Sequence, residues 1–250
     1  MTPGPDDPTR IPTIAPVRLP ELGPVAMLPR ANLTGEVPLD AAFLTQGAAA
    51  MRTVARVAVP LHRDGAPVRV DDEGSVGTGT AFLVDRAYAL TACHVVWGGM
   101  GAPLDADLAL QLASITLAFH DGPVVTGVTL VAWSPPEADD FALLRLPRTL
   151  DAAPCPVRWN PVRTGRAVNV LHYPYDDRLY ASLRNNACVG VAPDRLHYLA
   201  STESGSSGAP LFDDDWWVTG WHRGVDPIAN VGTPIARVRA ALDAARGAPG

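Results

Sequence analysis

The chain has 250 residues, is 47% hydrophobic and carries a net charge of −6 with a pI near 5.4. That length supports one sizeable core, or two small lobes that share a cleft. No basic stripe stands out, so nucleic acid is excluded as an expected partner.

No run of about 18 apolar residues occurs, so no membrane span is expected. The first residues lack a basic start followed by an apolar stretch and do not read as a secretion signal, which makes a cytoplasmic location the expectation. Cys93, Cys155 and Cys188 are few, odd in number and unevenly spaced, unlike a secreted disulfide framework. A Cys155–Cys188 bridge and a pair of buried free thiols are both open, the second being the simpler reading.

Residues 1–38 carry Pro every few positions and no regular periodicity, which predicts an extended tail or pro-segment. Residues 39–52 (LDAAFLTQGAAAMR) have a briefly helical composition. From about residue 53 short strands alternate with Gly, Pro and Asp: TVARVAV, GTGTAFLVD, AYALTA, SITLAFH, VTLVAW and FALLRL. After the Pro-rich stretch near 147–165 come AVNVLHY, ACVGVA, RLHYLAS, APLF and WWVTGWH. This pattern predicts an all-β chain divided into two barrels, about 50–147 and about 165–232. Thr233 is placed to cap a helix with Pro234 at its first position, and Ile235, Val238 and Leu242 fall on one face of a helix over 234–246.

Three short strings carry chemistry. In Gly205-Ser206-Ser207-Gly208-Ala209-Pro210, Gly205 lets the chain turn so that the N–H groups of Gly205 and Ser207 can converge on an oxyanion, with Ser207 as nucleophile. Alone, the string equally describes a tight turn between strands. His94, in TACHVV, follows an apolar strand directly and could serve as base, although a lone His is more often half-buried and inert. Asp140 precedes the apolar run FALLRL, where a carboxylate can be held against a His ring; Asp139 reads as its solvated neighbour.

With these motifs assembled, the chain resembles the chymotrypsin/trypsin-like serine peptidases. TACHV is similar to that family's T-A-x-H motif, DFALLRL to its D-[IFV]-A-L-L-x-L motif, and GSSGAP to its G-x-S-G-x-P motif, in the order His, Asp, Ser. The resemblance covers about residues 50–245. It implies two six-stranded antiparallel β-barrels with a C-terminal helix, and a catalytic triad of His94, Asp140 and Ser207. It also implies an oxyanion hole from Gly205 and Ser207, a protein or peptide substrate, and no cofactor or metal. The disulfide that animal trypsins carry beside the His is absent, since Cys93 precedes His94 and no Cys follows closely. A narrower resemblance is to bacterial glutamyl endopeptidases. It places Thr202, five residues before the nucleophile, and His222, fifteen after it, in the primary specificity pocket. Ser201 stands at the pocket base, where a trypsin-like preference for Arg needs Asp, and Val225 stands at the rim, where many of these enzymes carry Gly. These residues imply cleavage after Glu. The alternative is an inactive trypsin-like fold that acts as a binding or scaffold protein; an esterase on an α/β-hydrolase fold is disfavoured by the motif order.

The other histidines, His62, His120, His172 and His197, lack metal-ligand spacing and read as structural or exposed. Trp216, Trp217 and Trp221 read as core and cleft wall. The oligomeric state is not legible.

Overall fold

The computed structural model describes residues 39–247, apart from 71, 72, 100, 104, 161 and 175. The chain divides into units Met1–Pro38 and Leu39–Gly250, and the expected Pro-rich tail lies outside the described residues.

Among the described residues, short apolar stretches broken by turn residues have produced two large antiparallel sheets, beside two small two-stranded ones (His62–Arg63 with Ala66–Pro67, and Arg69–Val70 with Glu73–Gly74). The first contains β1 (Val54–Pro60), β2 (Val76–Asp85), β3 (Tyr88–Thr91), β4 (Thr116–Phe119), β5 (Val124–Val125), β6 (Thr129–Ser134) and β7 (Phe141–Arg145), in the order β6-β7-β3-β2-β1-β4-β5. The second contains β8 (Asn169–His172), β9 (Tyr180–Ser182), β10 (Cys188–Val191), β11 (Leu196–Tyr198), β12 (Pro210–Phe212), β13 (Val218–Val225) and β14 (Asn230–Pro234), in the order β9-β8-β12-β13-β14-β11-β10. Each large sheet thus has seven strands rather than six, and in the first the smallest strand is only two residues long. The two curled sheets form the expected chymotrypsin-like double barrel.

Each barrel has an apolar interior. The first is filled by residues such as Val57, Leu83, Ile115, Leu117 and Leu144, the second by Val168, Val170, Leu196, Tyr198 and Leu211. A third cluster joins the sheets: Val54, Phe82, Leu90, Phe141 and Leu143 from the first meet Leu171, Phe212, Trp216 and Trp221 from the second. Its strand residues alternate with barrel-filling ones, Phe82 with Ala81 and Leu83, Leu143 with Ala142 and Leu144, Leu171 with Val170, so the same alternation that fills each barrel also glues the pair.

Among the described residues four α-helices decorate the sheets: α1 (Ala42–Met51), α2 (Cys93–Val96), α3 (Asp105–Ser114) and α4 (Arg239–Gly247). The Trp216 indole donates to the Phe43 carbonyl at 2.8 Å and its ring lies against Gly47, which docks α1 on the joining core. The C-terminal helix begins as a 3-10 turn over Ile235–Val238, and Ile235, Val238 and Leu242 are buried as expected. The expected Thr233 cap does not form: its hydroxyl donates to the Asp139 carbonyl at 3.0 Å, and Pro234 occupies the capping position. None of the described helices is long and apolar enough to cross a membrane. All three Cys are free, so Cys155 and Cys188 do not pair.

Candidate active site

Antiparallel pairing of β3 with β7 matches Thr91 with Ala142. The residues just past the end of β3 therefore face those just before β7, which brings His94 on α2 to Asp140. Asp140 is 1% exposed. One of its carboxylate oxygens is 2.7 Å from His94 Nδ1, and the other accepts the His94 backbone N–H at 3.1 Å. A carboxylate can only accept, so Nδ1 carries hydrogen, and in the neutral ring Nε2 is the nitrogen with the bare lone pair.

Asp140 holds a left-handed backbone conformation (φ 53°), which Asp tolerates better than most residues. Its N–H donates to the Pro135 carbonyl, and its carbonyl accepts the Trp221 indole N–H at 3.0 Å. Arg223 reinforces this turn by donating to the carbonyls of Ala138 and Pro136, with its Nε 3.9 Å from the Asp140 carboxylate. Asp139 points elsewhere and forms a two-pronged ion pair with Arg237 at 2.7 and 3.1 Å. Two adjacent aspartates are thus separated into a ring-orienting and a helix-anchoring role.

Ser207 arrives from the second sheet, in the loop before β12. Thr80 on β2 grips this loop twice: its N–H donates to the Ser207 carbonyl at 2.8 Å and its hydroxyl to the Gly205 carbonyl at 2.9 Å. Gly205 (φ 95°) and Gly208 (φ 84°) are in the left-handed region, and a side chain on either would strike backbone. A Cβ on Gly205 would lie 2.4 Å from the Tyr173 carbonyl oxygen, and one on Gly208 2.2 Å from that of Thr80. Close approach of the Ser207–Gly208 backbone to Thr80, Thr91 and Ala92 sets the serine beside the segment that carries His94. Among the described residues Ser207 Oγ makes no hydrogen bond to His94, a looseness common in substrate-free sites. Ser206 N–H is bonded to the Glu203 carbonyl and Gly208 N–H to the His222 carbonyl, whereas Gly205 N–H and Ser207 N–H have no acceptor among the described residues. Two unspent donors flanking a serine hydroxyl can receive a developing oxyanion.

A cleft of about 790 Å³ opens beside Ser207. Ser201, Thr202, His222 and Val225 all line it, together with Asn230. His222 Nδ1 is 2.6 Å from the Tyr198 hydroxyl. Tyr198 is fully buried and its hydroxyl has no other partner among the described residues, so it must donate to Nδ1. The remaining ring nitrogen of His222, Nε2, then carries hydrogen as a free donor. Burial pushes His222 down to about 3, which keeps the ring neutral near neutral pH. Thr202, expected as a direct donor, instead gives its hydroxyl proton to Asn230 Oδ1 at 2.5 Å. Asn230 Nδ2 spends one proton on the Ala200 carbonyl at 2.8 Å and has a second. Val225 is 76% exposed and sits on the rim rather than in the throat.

Sequence reasoning missed Thr80, Tyr198, Asn230, and His172 with Ser206 behind the nucleophile loop. Thr80 lies inside the GTGTAFLVD strand, and nothing local marks a hydroxyl whose partners, Gly205 and Tyr173, are about a hundred residues away. Asn230 reaches the cleft through the pairing of β13 with β14, which sets Val225 opposite Asn230. Trp216 and Trp221 are core, and Trp221 also supports the Asp140 turn. Among the described residues no cluster of His, Cys, Asp or Glu could hold a metal ion.

The family profile described as the trypsin-like peptidase domain matches residues 79–220, more than half of the chain and the whole span from Gly79 through Ser207. The chain belongs to this family. Membership places the domain among the serine peptidases, which are hydrolases. It is similar to the Rv3671c protease from M. tuberculosis in its active form, at 22% identity and a TM-score of 0.61, over 90% of this chain and 96% of that one. It is also similar to the HtrA-type protease AlgW with tripeptide, at 18% identity and a TM-score of 0.60, over 82% of this chain and 62% of the other. At these identities the likeness concerns the fold. A curated relative, the uncharacterized protein y4fB of Sinorhizobium fredii, is 29% identical over 76% of this chain. The match spans only 30% of that relative's length.

Proposed function

We propose that the domain is a serine endopeptidase that works through a Ser207 acyl-enzyme and prefers Glu before the cut. The observation that carries the catalytic part is the paired hold of buried Asp140 on His94, one oxygen on the ring and one on the backbone. This hold fixes the Nδ1–H tautomer and aims the basic Nε2 away from Asp140. Ser207 Oγ attacks the scissile carbonyl as its proton passes to His94 Nε2. The oxyanion forms against Gly205 N–H and Ser207 N–H. Collapse breaks the C–N bond, His94 returns the proton to the leaving amine, and water repeats the cycle on the ester.

The preference for Glu is supported by the donors in the cleft. A carboxylate that loses its water needs replacements. His222 Nε2–H offers one and the second Asn230 Nδ2–H another; Thr202 orients that amide. A bound carboxylate favours the imidazolium, so His222 rises from its low value when the pocket fills. One experiment tests both parts. Fluorophosphonate labelling reports an activated serine, and peptides varied only at the residue before the cut report the preference. Labelling of Ser207 and fastest cleavage after Glu are expected. No labelling sinks the peptidase reading, and preference for Ala, Val or Arg sinks the Glu reading alone.

A further inference from the structure

A polar cluster lies behind the nucleophile loop, and the reaction above does not use it. His172, the last residue of β8, is buried. Its Nδ1 is 2.7 Å from Ser206 Oγ and its Nε2 is 3.0 Å from Ser182 Oγ on β9. The other bonds of these hydroxyls fix where the protons sit. Ser182 gives its single proton to the Ser201 carbonyl at 2.7 Å. It can therefore only accept from His172, so Nε2 carries hydrogen. Burial pushes His172 down to about 4, which keeps the ring neutral and Nδ1 bare. Ser206 Oγ accepts the Glu203 N–H at 3.0 Å and donates its own proton to Nδ1.

The result is a one-way chain of donors, from Glu203 N–H through Ser206, His172 and Ser182 to the Ser201 carbonyl. It leaves the 201–207 segment at the oxyanion end and returns to it at the pocket end. The donors of all three side chains are spent. A network with no spare donor, buried at its His172 and Ser206 end, rigidifies what it touches there.

We propose that His172 is a positioning residue: as a neutral Nε2–H imidazole it braces the 201–207 segment from behind and so keeps the N–H groups of Gly205 and Ser207 aimed at the scissile carbonyl. The proposal rests on the peptidase reading. Ser206 is the contact through which the brace acts, since it sits between the two oxyanion donors in the chain. Loss of the imidazole leaves the buried Ser206 hydroxyl short of its acceptor, and the loop moves to find another, while the partly exposed Ser182 hydroxyl keeps its bond to the Ser201 carbonyl. Transition-state contacts suffer more than ground-state binding, because His222 and Asn230 stand on β13 and β14.

The test has a kinetic arm and a spectroscopic arm. Ser206→Ala and His172→Phe lower kcat about 10- to 100-fold, less than outright removal of an oxyanion donor, while KM stays within about threefold. The double variant is no worse than the poorer single one, as expected for members of one chain. His172→Gln, whose amide can both donate and accept, recovers part of kcat. If His172→Phe loses its cooperative melt, Ser206→Ala, which deletes one hydroxyl, carries this arm. In the wild type, nitrogen-15 spectra of the imidazoles at neutral pH show His172 protonated at Nε2 and bare at Nδ1. Variants that melt like wild type and keep full kcat overturn the proposal, as does a His172 protonated at Nδ1. A wild type inert toward both peptides and fluorophosphonate overturns the peptidase reading instead, and the nitrogen spectrum then still decides the tautomer on which the brace stands.

Discussion

The Thr80 hydroxyl donates to the Gly205 carbonyl across the boundary between the barrels, at 2.9 Å. The same oxygen accepts the Tyr173 N–H at 3.1 Å, and all three groups are buried. One hydroxyl on the first sheet thus holds two segments of the second. Thr80→Val keeps the shape and removes both bonds. It should destabilise the fold by about 1–3 kcal/mol, since a buried N–H and carbonyl lose their partner. It should also lower kcat by about 10- to 100-fold through misplacement of the loop. Thr80→Ser should restore most of both. Denaturant melts beside kcat and KM check this, and a Val variant with wild-type kcat would contradict it.

The neighbouring aspartates should respond very differently. Ser207→Ala and His94→Ala should cost on the order of 10⁴–10⁶ in kcat. Asp140→Asn should cost several decades, because an amide can donate to Nδ1 and thereby favour the wrong tautomer. Asp139→Asn weakens only the ion pair to Arg237, which is partly exposed, so stability should fall by less than about 1 kcal/mol with kcat unchanged. Steady-state kinetics on the four variants decide the matter; equal losses at both aspartates would sink the assignment.

How much of this was legible in the sequence depended on how local each signal was. The three triad strings could be read because each requirement is met within a few residues: a strand end, a turn and the reacting side chain. The C-terminal helix was legible from Ile235, Val238 and Leu242, but its cap was not, because the Thr233 hydroxyl is claimed by a carbonyl at Asp139, far away in sequence. Helix α3 had only a weak apolar stripe to find, Leu108 and Leu112, both only partly buried. Its buried positions include Asp107, whose carboxylate accepts the N–H groups of Asp64 and Gly65, and Gln111, which donates to the Val96 carbonyl. The pocket was half legible. Thr202 and His222 stand at fixed offsets from Ser207, whereas Tyr198 and Asn230 join them only through the pairing of β11 with β14 and of β14 with β13.

That pocket gives a graded prediction. His222→Ala should lower kcat/KM for Glu peptides by about tenfold to a hundredfold, the worth of a charge-assisted bond of about 1.5–3 kcal/mol. Asn230→Asp should be at least as harmful for Glu, because it replaces a donor with a like charge. Thr202→Val should be milder, since its hydroxyl orients Asn230 rather than facing the substrate. A peptide panel measured on these variants checks the order, and an unchanged Glu preference in His222→Ala would rule the pocket model out.

Acid should weaken the fold through two buried histidines. The folded values of His172 and His222 are pushed below the ordinary 6.5, to about 4 and about 3, by burial. The unfolded chain therefore takes up protons that the folded chain refuses. Stability from this source is complete above about pH 6.5 and is lost as the pH falls toward the folded values. Between pH 6 and pH 5 each histidine should contribute a loss of about 1 kcal/mol. Urea titrations at these two pH values should show a drop in wild type that is reduced by about half in His172→Gln. An equal drop in both proteins would show that His172 is already charged in the native state.

Cys93 stands directly before His94, yet burial and the nearby carboxylate of Asp140 push its thiol up to about 12. Burial raises Cys155 and Cys188 as well, and none of the three is bridged. Near neutral pH almost none of this sulfur is thiolate, the form that alkylating agents and peroxide attack. Oxidation thus finds little thiolate beside His94, and there is no disulfide whose reduction could loosen either barrel.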